Sequence, residues 1–229
     1  MASAEFSFLL VGGADEEVRG EAEPTGTFSW RLQHVLGFLT GGTTFIAGTA
    51  LLYPVQQTVL LASLSAALYT LGSLGFLFVD VQEFFSYTSP TLLRGNILLS
   101  ATGSLLYVLG SIGFFPIVFN ASEVLGVWGF ILGSLLIGVS QLFKLVRIGW
   151  RESGGFHPVH LVESKDSVSA CGVEGGACLG AWFFFAGTLL LLLSPGAFGS
   201  VLLLWSLGSV SFTMGGACLA FRHFYLGIT

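Results

Sequence analysis

Long stretches without a charged residue alternate with short charged segments along this chain. Four stretches lack Asp, Glu, Lys and Arg, and they cover residues 32–79, 95–122, 124–143 and 175–221. A membrane-spanning helix needs about 20 apolar residues, so the first and last stretches have room for two spans each and the others for one each. The pattern predicts an all-α protein with six transmembrane helices, near residues 35–53, 58–80, 97–118, 124–145, 177–194 and 199–221.

The basic residues predict how these helices are oriented in the membrane. All eight lie in the N-terminal segment, the second and fourth connections or the C-terminal end: Arg19, Arg31, Arg94, Lys144, Arg147, Arg151, Lys165 and Arg222. With six spans these regions share one side of the membrane. Because Lys and Arg are enriched in cytoplasmic loops, we expect both termini on the cytoplasmic side or its organellar equivalent.

The composition also indicates an integral membrane protein. Hydrophobic residues make up 53% of the 229 positions, charged residues make up 9%, and the mean hydropathy is +0.85. Soluble domains carry about 25% charged residues. We therefore expect the lipid bilayer as a partner and no nucleic acid, with residues 1–28 forming an acidic tail. The three cysteines, Cys171, Cys178 and Cys218, form no recognisable disulfide framework.

A pattern of small and aromatic residues recurs three times along the chain. Odd-numbered helices carry Gly-x3-aromatic-x2-Gly followed by Ser or Thr, starting at Gly41, Gly103 and Gly180. Even-numbered helices carry Leu-Gly-Ser, at residues 71–73, 132–134 and 207–209. The repeat predicts three tandem helical hairpins, at residues 29–85, 94–150 and 175–226. A polar loop, 151–174, precedes the third hairpin.

Small residues in this pattern are typical of contacts between membrane helices. Lipid tails are as apolar as leucine, so such helices associate through close packing and a few hydrogen bonds. The i, i+4, i+7 spacing puts both glycines and the aromatic residue on one helical face, where the aromatic ring fills the gap beside each glycine. We predict a helix-packing role for Gly41, Gly48, Gly72, Ser73, Gly103, Gly110, Ser111, Gly129, Gly133, Ser134, Gly180, Gly187, Gly208 and Ser209.

The central hairpin resembles the YrhK-like family of small two-helix membrane domains. In that family each helix carries a Gly-Ser pair, a tryptophan opens the second helix and basic residues close it. The matching residues are Gly110, Ser111, Trp128, Gly133, Ser134 and Lys144. The first hairpin departs from the pattern, because Thr49 replaces serine and the acidic Asp80 and Glu83 stand where basic residues would close the second helix. In the third hairpin Thr188 replaces serine, and Trp205 precedes Gly208 by three residues rather than five. The resemblance implies a fold of tandem hairpins and no established activity.

Two groups of polar residues are candidates for chemistry. No ionisable residue is predicted in the central part of a span, and we expect Asp80 and Glu83 at the interface after the second helix, where Arg94 offsets them. In the polar loop, His157 and His160 have a spacing found among zinc ligands. They are weak metal candidates, because Pro158 disfavours a helix at His157 and no second close pair completes a tetrahedral set.

These patterns favour a non-catalytic membrane scaffold or an accessory subunit of a larger membrane complex. Its partners would be other membrane subunits or further copies of itself. A small-solute channel or transporter is the first alternative, and a metal-dependent membrane enzyme that uses the two histidines is the second. We predict no cofactor, although the 22 phenylalanines leave a bound lipid or pigment open.

Overall fold

Apart from one short β-pair, the described parts of the chain are helical or form short connections. The structure is a computed structural model, and it describes residues 26–53, 58–86, 91–151 and 155–228. The helices are α1 (Phe28–Ala50), α2 (Val59–Ser86), α3 (Thr91–Gly113), α4 (Pro116–Phe119), α5 (Val124–Gly149), α6 (Lys165–Leu193) and α7 (Phe198–Phe224). Five of them, α2, α3, α5, α6 and α7, are long and apolar enough to cross a membrane. The predictions of a helical fold and of a membrane protein are confirmed at this level.

Two single-turn 3-10 helices and a β-pair join the long helices. Strands β1 (Trp150–Arg151) and β2 (Gly155–Phe156) are antiparallel and follow α5 directly. The 3-10 helices cover Pro158–Leu161 and Pro195–Ala197. Each begins with a proline, which cannot donate a backbone hydrogen bond and is tolerated at the first position of a helix.

Several helices begin or end outside their predicted bounds. The polar loop was predicted over 151–174, but α6 already begins at Lys165, because the Ser164 hydroxyl caps it by accepting from Ser167 N at 3.0 Å. Helix α2 continues to Ser86, six residues beyond its predicted end, and α1 begins at Phe28 after its N-cap Thr27. The predicted acidic tail up to residue 25 and the predicted turn at Pro54 lie outside the described residues.

The six long helices form a closed ring. Each packs mainly on its neighbours in the order α1, α2, α3, α5, α6, α7, and α7 packs back on α1. Phe45 of α1 lies at the centre of the ring and is fully buried. Its ring contacts aromatic rings from all five other long helices at centroid distances of 4.8 to 6.3 Å: Tyr69, Phe76, Tyr107, Phe130, Phe184 and Phe212. The axis of the bundle is therefore filled by aromatic side chains at this level.

Candidate functional site

The predicted packing residues lie at contacts between consecutive long helices. In each pair the first glycine of the earlier helix lies against a large side chain of the later one: Gly41 against Phe76, Gly103 against Ile137 and Gly180 against Phe212. The aromatic residue of the earlier helix covers the glycine of the Gly-Ser pair: Phe45 covers Gly72, Tyr107 covers Gly133 and Phe184 covers Gly208. The second glycine faces an aromatic ring of the later helix: Gly48 faces Tyr69, Gly110 faces Phe130 and Gly187 faces Trp205. Gly129 meets α3 directly, since a Cβ there would lie 2.6 Å from Gly110 Cα.

The predicted serines connect helices through their hydroxyl groups. Three contacts join neighbouring helices: Ser134 Oγ with Tyr107 OH at 2.7 Å, Ser73 Oγ with Ser111 Oγ at 3.1 Å, and Ser209 Oγ with Thr49 Oγ1 at 3.4 Å. All four serines are fully buried. Ser73, Ser111 and Ser209 each also lie within donating distance of the carbonyl oxygen four positions earlier, so the single proton of each hydroxyl can serve either the carbonyl or the neighbouring helix. Such bonds satisfy a hydroxyl group inside a membrane protein.

A buried group of ionisable residues lies at the end of the ring where α2, α5 and α7 finish and α1 and α6 begin. We call it the ionisable cluster, and it consists of one residue from each of these five helices: His34, Glu83, Lys144, Glu174 and His223. Lys144 Nζ lies 3.3 Å from Glu83 Oε2 and 3.7 Å from Glu174 Oε2. His34 Nε2 lies 3.2 Å from the other oxygen of the Glu83 carboxylate. The cluster thus ties together helices that are far apart in sequence.

The placement of Asp80 and Glu83 corrects the sequence prediction. Both were expected at the interface after the second helix, but both lie inside α2 because that helix continues to Ser86. Their i, i+3 spacing puts them on the same, inward face. Asp80 is only 6% exposed, and its Oδ2 accepts from Ser104 Oγ at 2.5 Å. Arg94, the predicted partner, lies instead 4.8 Å above the Phe84 ring.

Three contacts in a row link the Ile228 carbonyl, the two histidines and Glu83. His223 Nδ1 lies 2.8 Å from the Ile228 carbonyl oxygen, which can only accept, so this nitrogen carries a proton. His223 Nε2 lies 3.0 Å from His34 Nδ1, and His34 Nε2 faces Glu83. The three contacts need three protons, whereas two neutral imidazoles carry two. For all three contacts to be hydrogen bonds at once, the chain from Ile228 to Glu83 must hold one proton more than two neutral histidines and a carboxylate.

The sequence held a signal for this cluster in the register of the Gly-Ser pairs. Glu83 and Lys144 each lie ten residues after the serine of their pair, and Asp80 and Gln141 each lie seven residues after it. The positions ten residues after the serine thus carry opposite charges in the first two hairpins, and the positions seven residues after it carry a carboxylate and a neutral amide. Counting charge-free intervals hides this signal, because it assigns every charged residue to a loop or an interface.

A cavity lies at the end of the bundle axis opposite to the ionisable cluster. It has a volume of about 350 Å³, and its walls include Tyr69, Phe130 and Trp205 together with the apolar residues Leu52, Phe114 and Leu191. Ligand pockets commonly measure about 300–1,000 Å³ and are mostly apolar. The cavity has the size and lining for part of a lipid or another apolar molecule.

The weak metal candidates lie together in the segment after α5. The rings of His157 and His160 have centroids 5.9 Å apart, and His160 Nδ1 lies 3.0 Å from Glu163 Oε2. Cys178, which is downstream, is buried in α6, with Sγ 3.8 Å from the Gly138 carbonyl oxygen. Within the described ranges, no group of three or more His, Cys, Asp or Glu could hold a metal ion.

Two features of the bundle can carry function. The ionisable cluster can hold and pass protons, since it joins hydrogen-bonded imidazoles to a carboxylate. The filled axis keeps the six helices together. No family model, curated protein or solved structure matches the chain.

Proposed function

We propose that the chain crosses the membrane six times, with α1 as the additional span and both termini on the cytoplasmic side. Helix α1 packs between α2 and α7 in the same ring as the five apolar helices. Its 23 residues extend for about 34 Å at 1.5 Å per residue, compared with about 30 Å for the hydrocarbon core. In its middle, two polar side chains are satisfied within the helix itself, since Thr43 and Thr44 donate to carbonyls of their own helix at 2.6 and 2.7 Å.

The same proposal treats the chain as three tandem hairpins of the YrhK-like kind. The glycine and aromatic contacts between α1 and α2 support it, because the same contacts recur between α3 and α5 and between α6 and α7. Epitope tags at the two ends of the chain test the even number of spans. Both tags should be cleaved by a protease from the cytoplasmic side alone, and cleavage of the two tags from opposite sides would contradict six spans.

The leading proposal for function is a non-catalytic scaffold or accessory subunit of a membrane complex. The main support for this proposal is the aromatic core. Phe45 contacts rings from every other long helix, so the axis is closed to solutes at that level. A bundle of this kind interacts inside the membrane through its outer surface, where long helices expose apolar side chains such as Leu98, Leu132 and Leu207. Those side chains suit contact with lipid and with other transmembrane helices.

The native particle tests this proposal. The tagged chain is extracted from its own membrane both with a mild detergent and with a lipid-retaining polymer, and the mass and polypeptides of each particle are determined. We expect a particle larger than the 24.2 kDa chain, with other subunits or further copies in a fixed ratio. A particle with a single chain in both extracts would contradict the proposal, because the polymer does not strip neighbouring subunits from the protein.

The ionisable cluster favours proton-coupled transport of a small solute as a second function. Ionisable residues inside a membrane bundle are costly and commonly mark ion or proton pathways. Here the cluster unites residues from five helices around a shared proton, so a movement of any of these helices would change where that proton is held. In this proposal the closed aromatic axis belongs to an occluded conformation.

Proton uptake by liposomes provides the test of this second function. The purified chain is reconstituted with a pH-sensitive dye inside, a potassium gradient with valinomycin supplies the membrane potential, and small solutes of several chemical classes are added outside in turn. Uptake should be lost in Glu83→Gln and kept in Glu123→Gln, which changes an exposed carboxylate on the other side of the bundle. Equal uptake by these two variants, or none by folded wild type, would refute it.

A further inference from the structure

A small cavity lies inside the bundle, one helical turn deeper than the ionisable cluster. Its volume is about 20 Å³, and its polar lining comes from three helices: Asp80 of α2, Ser100 and Ser104 of α3, and Gln141 of α5. Apolar side chains such as Phe76 and Phe212 complete the wall. A cavity of more than about 10–15 Å³ has room for one particle of the size of a water molecule.

Gln141 indicates that this cavity has an occupant. Its side chain lies in the wall, only 5% of the residue is exposed, and its Oε1 finds no hydrogen-bond partner in the described chain. A buried amide oxygen left without a partner is costly, and such groups in native proteins are satisfied by water or an ion. The oxygen therefore needs either a hydrogen-bond donor, such as water, or a cation that it can coordinate.

The charges around the cavity favour a cation over a neutral water molecule as its occupant. Lys144 is shared by Glu83 and Glu174, while Asp80 forms no ion pair with any described residue and accepts from the hydroxyl groups of Ser104 and Ser100. Burying a carboxylate without a counter-charge is unfavourable. One positive charge beside Asp80 would balance it, and hard cations take their ligands from such carboxylate, amide and hydroxyl oxygens.

We propose that this cavity binds one sodium ion through oxygens of Asp80, Ser100, Ser104 and Gln141. A single carboxylate matches a single positive charge, whereas Ca²⁺ or Mg²⁺ would leave one charge uncompensated inside the bundle. Calcium also takes six to eight oxygen ligands and magnesium usually keeps several waters, and a cavity of about 20 Å³ has no room for either arrangement. The ion joins α2, α3 and α5, and a scaffold or a transporter could hold it equally well, so the site does not depend on the proposed function.

Binding of radioactive sodium to the purified chain in nanodiscs tests the proposal. The buffer has fixed pH and fixed ionic strength, with choline replacing sodium. We expect saturable binding of one ion per chain that unlabelled sodium displaces and choline does not. Asp80→Asn and Gln141→Met should each weaken the affinity by at least about tenfold, since even outer ligands of metal sites contribute 10–100-fold. Glu123→Gln, which removes an exposed carboxylate, should leave it unchanged.

The outcomes separate the ion from water and from a proton. Absence of saturable sodium binding by folded wild type would overturn the proposal and leave the cavity to water or a protonated carboxyl group. Binding that survives in both cavity variants would overturn it as well, since the ion would lie elsewhere. Gln141→Met keeps the side-chain volume and the Asp80 carboxylate, so it tests the ion site even where Asp80→Asn fails to fold.

Discussion

Gly133 lies where the backbones of α3 and α5 are in contact, and an alanine there has no free space. A Cβ at Gly133 would lie 2.7 Å from Tyr107 Cδ1 and 2.9 Å from the Gly103 carbonyl oxygen. The carbonyl belongs to the backbone of α3, so the two helices would have to separate by about 0.5 Å to reach an ordinary van der Waals distance. Gly95, a residue of α3, supplies a matched control for Gly133 of α5, because a Cβ at Gly95 meets nothing in the described chain within 4 Å.

The comparison of the two alanine variants isolates the packing cost. Replacement of glycine by alanine in a helix stabilises by about 1 kcal/mol, and this gain is common to both variants. Inserting a methyl group into a filled contact costs about 1–3 kcal/mol. We therefore expect Gly133→Ala to have a lower free energy of unfolding than Gly95→Ala by about 1–3 kcal/mol.

Reversible unfolding in mixed micelles measures this difference. The fraction of denaturing detergent is raised stepwise, and tryptophan fluorescence reports the fraction folded. A third variant, Gly208→Ala, should behave like Gly133→Ala, because its Cβ would meet the Phe184 ring and the Gly180 carbonyl oxygen in the same manner. Equal stability of Gly133→Ala and Gly95→Ala would refute the view that the Gly-Ser glycines are contact points of the bundle.

Three further predictions concern hydrogen bonds, buried charge and orientation. Tyr107→Phe removes an interhelical hydroxyl contact and should lower the free energy of unfolding by about 0.6–1.7 kcal/mol in the same assay. Lys144→Met leaves two buried carboxylates without their shared ammonium group and should cost about 3–5 kcal/mol, and adding Glu83→Gln should restore part of this loss. In a cysteine-free background, Val159→Cys should react with a membrane-impermeant maleimide only from the cytoplasmic side, and Ala121→Cys only from the opposite side, because α5 separates these exposed positions.

Each of these predictions has its own control and its own contrary outcome. Tyr225 is 74% exposed, so Tyr225→Phe should change stability little, and a Tyr107→Phe protein as stable as that control would contradict the first prediction. Arg222→Ala breaks the half-exposed pair with Asp166 and should cost no more than about 1 kcal/mol. A Lys144→Met protein that matches wild type would show that the cluster carries no buried charge. Labelling of both cysteines from one side would disprove the proposed crossing of α5.

The membrane character and the helical fold follow from the charge-free stretches, and these parts of the sequence prediction are confirmed. The start of α6 does not follow from them, since Asp166 and Glu174 made residues up to 174 look like a loop. Ser164, which caps that helix, offers only a local signal that the hydropathy pattern outweighs. Helix α1 contains polar residues such as Gln33 and His34, so it is less apolar than the five helices that are long and apolar enough to cross a membrane. The sixth span therefore stays a prediction.

The candidate site was harder to predict than the fold for a different reason. The Gly-Ser register indicates which residues face another helix, but the partner of each residue depends on how the helices close into a ring. The contact of His34 with His223 joins residues at opposite ends of the sequence. No periodicity within a single helix contains this information, and hydropathy alone places the charges of Glu83 and Lys144 in water.

The contact between α1 and α7 also dictates an order of events during synthesis. Helix α1 leaves the ribosome before α7, yet Gly42 packs against Thr213, and the Phe28 and Phe224 rings lie 5.8 Å apart. Until α7 has been made, that side of α1 lacks its partner in the ring, so the bundle stays open and its inward-facing polar groups stay reachable. Contacts between such distant segments form slowly, because the intervening chain must first be ordered. The interval before closure is therefore when a newly made chain is most exposed to chaperones and to membrane proteases.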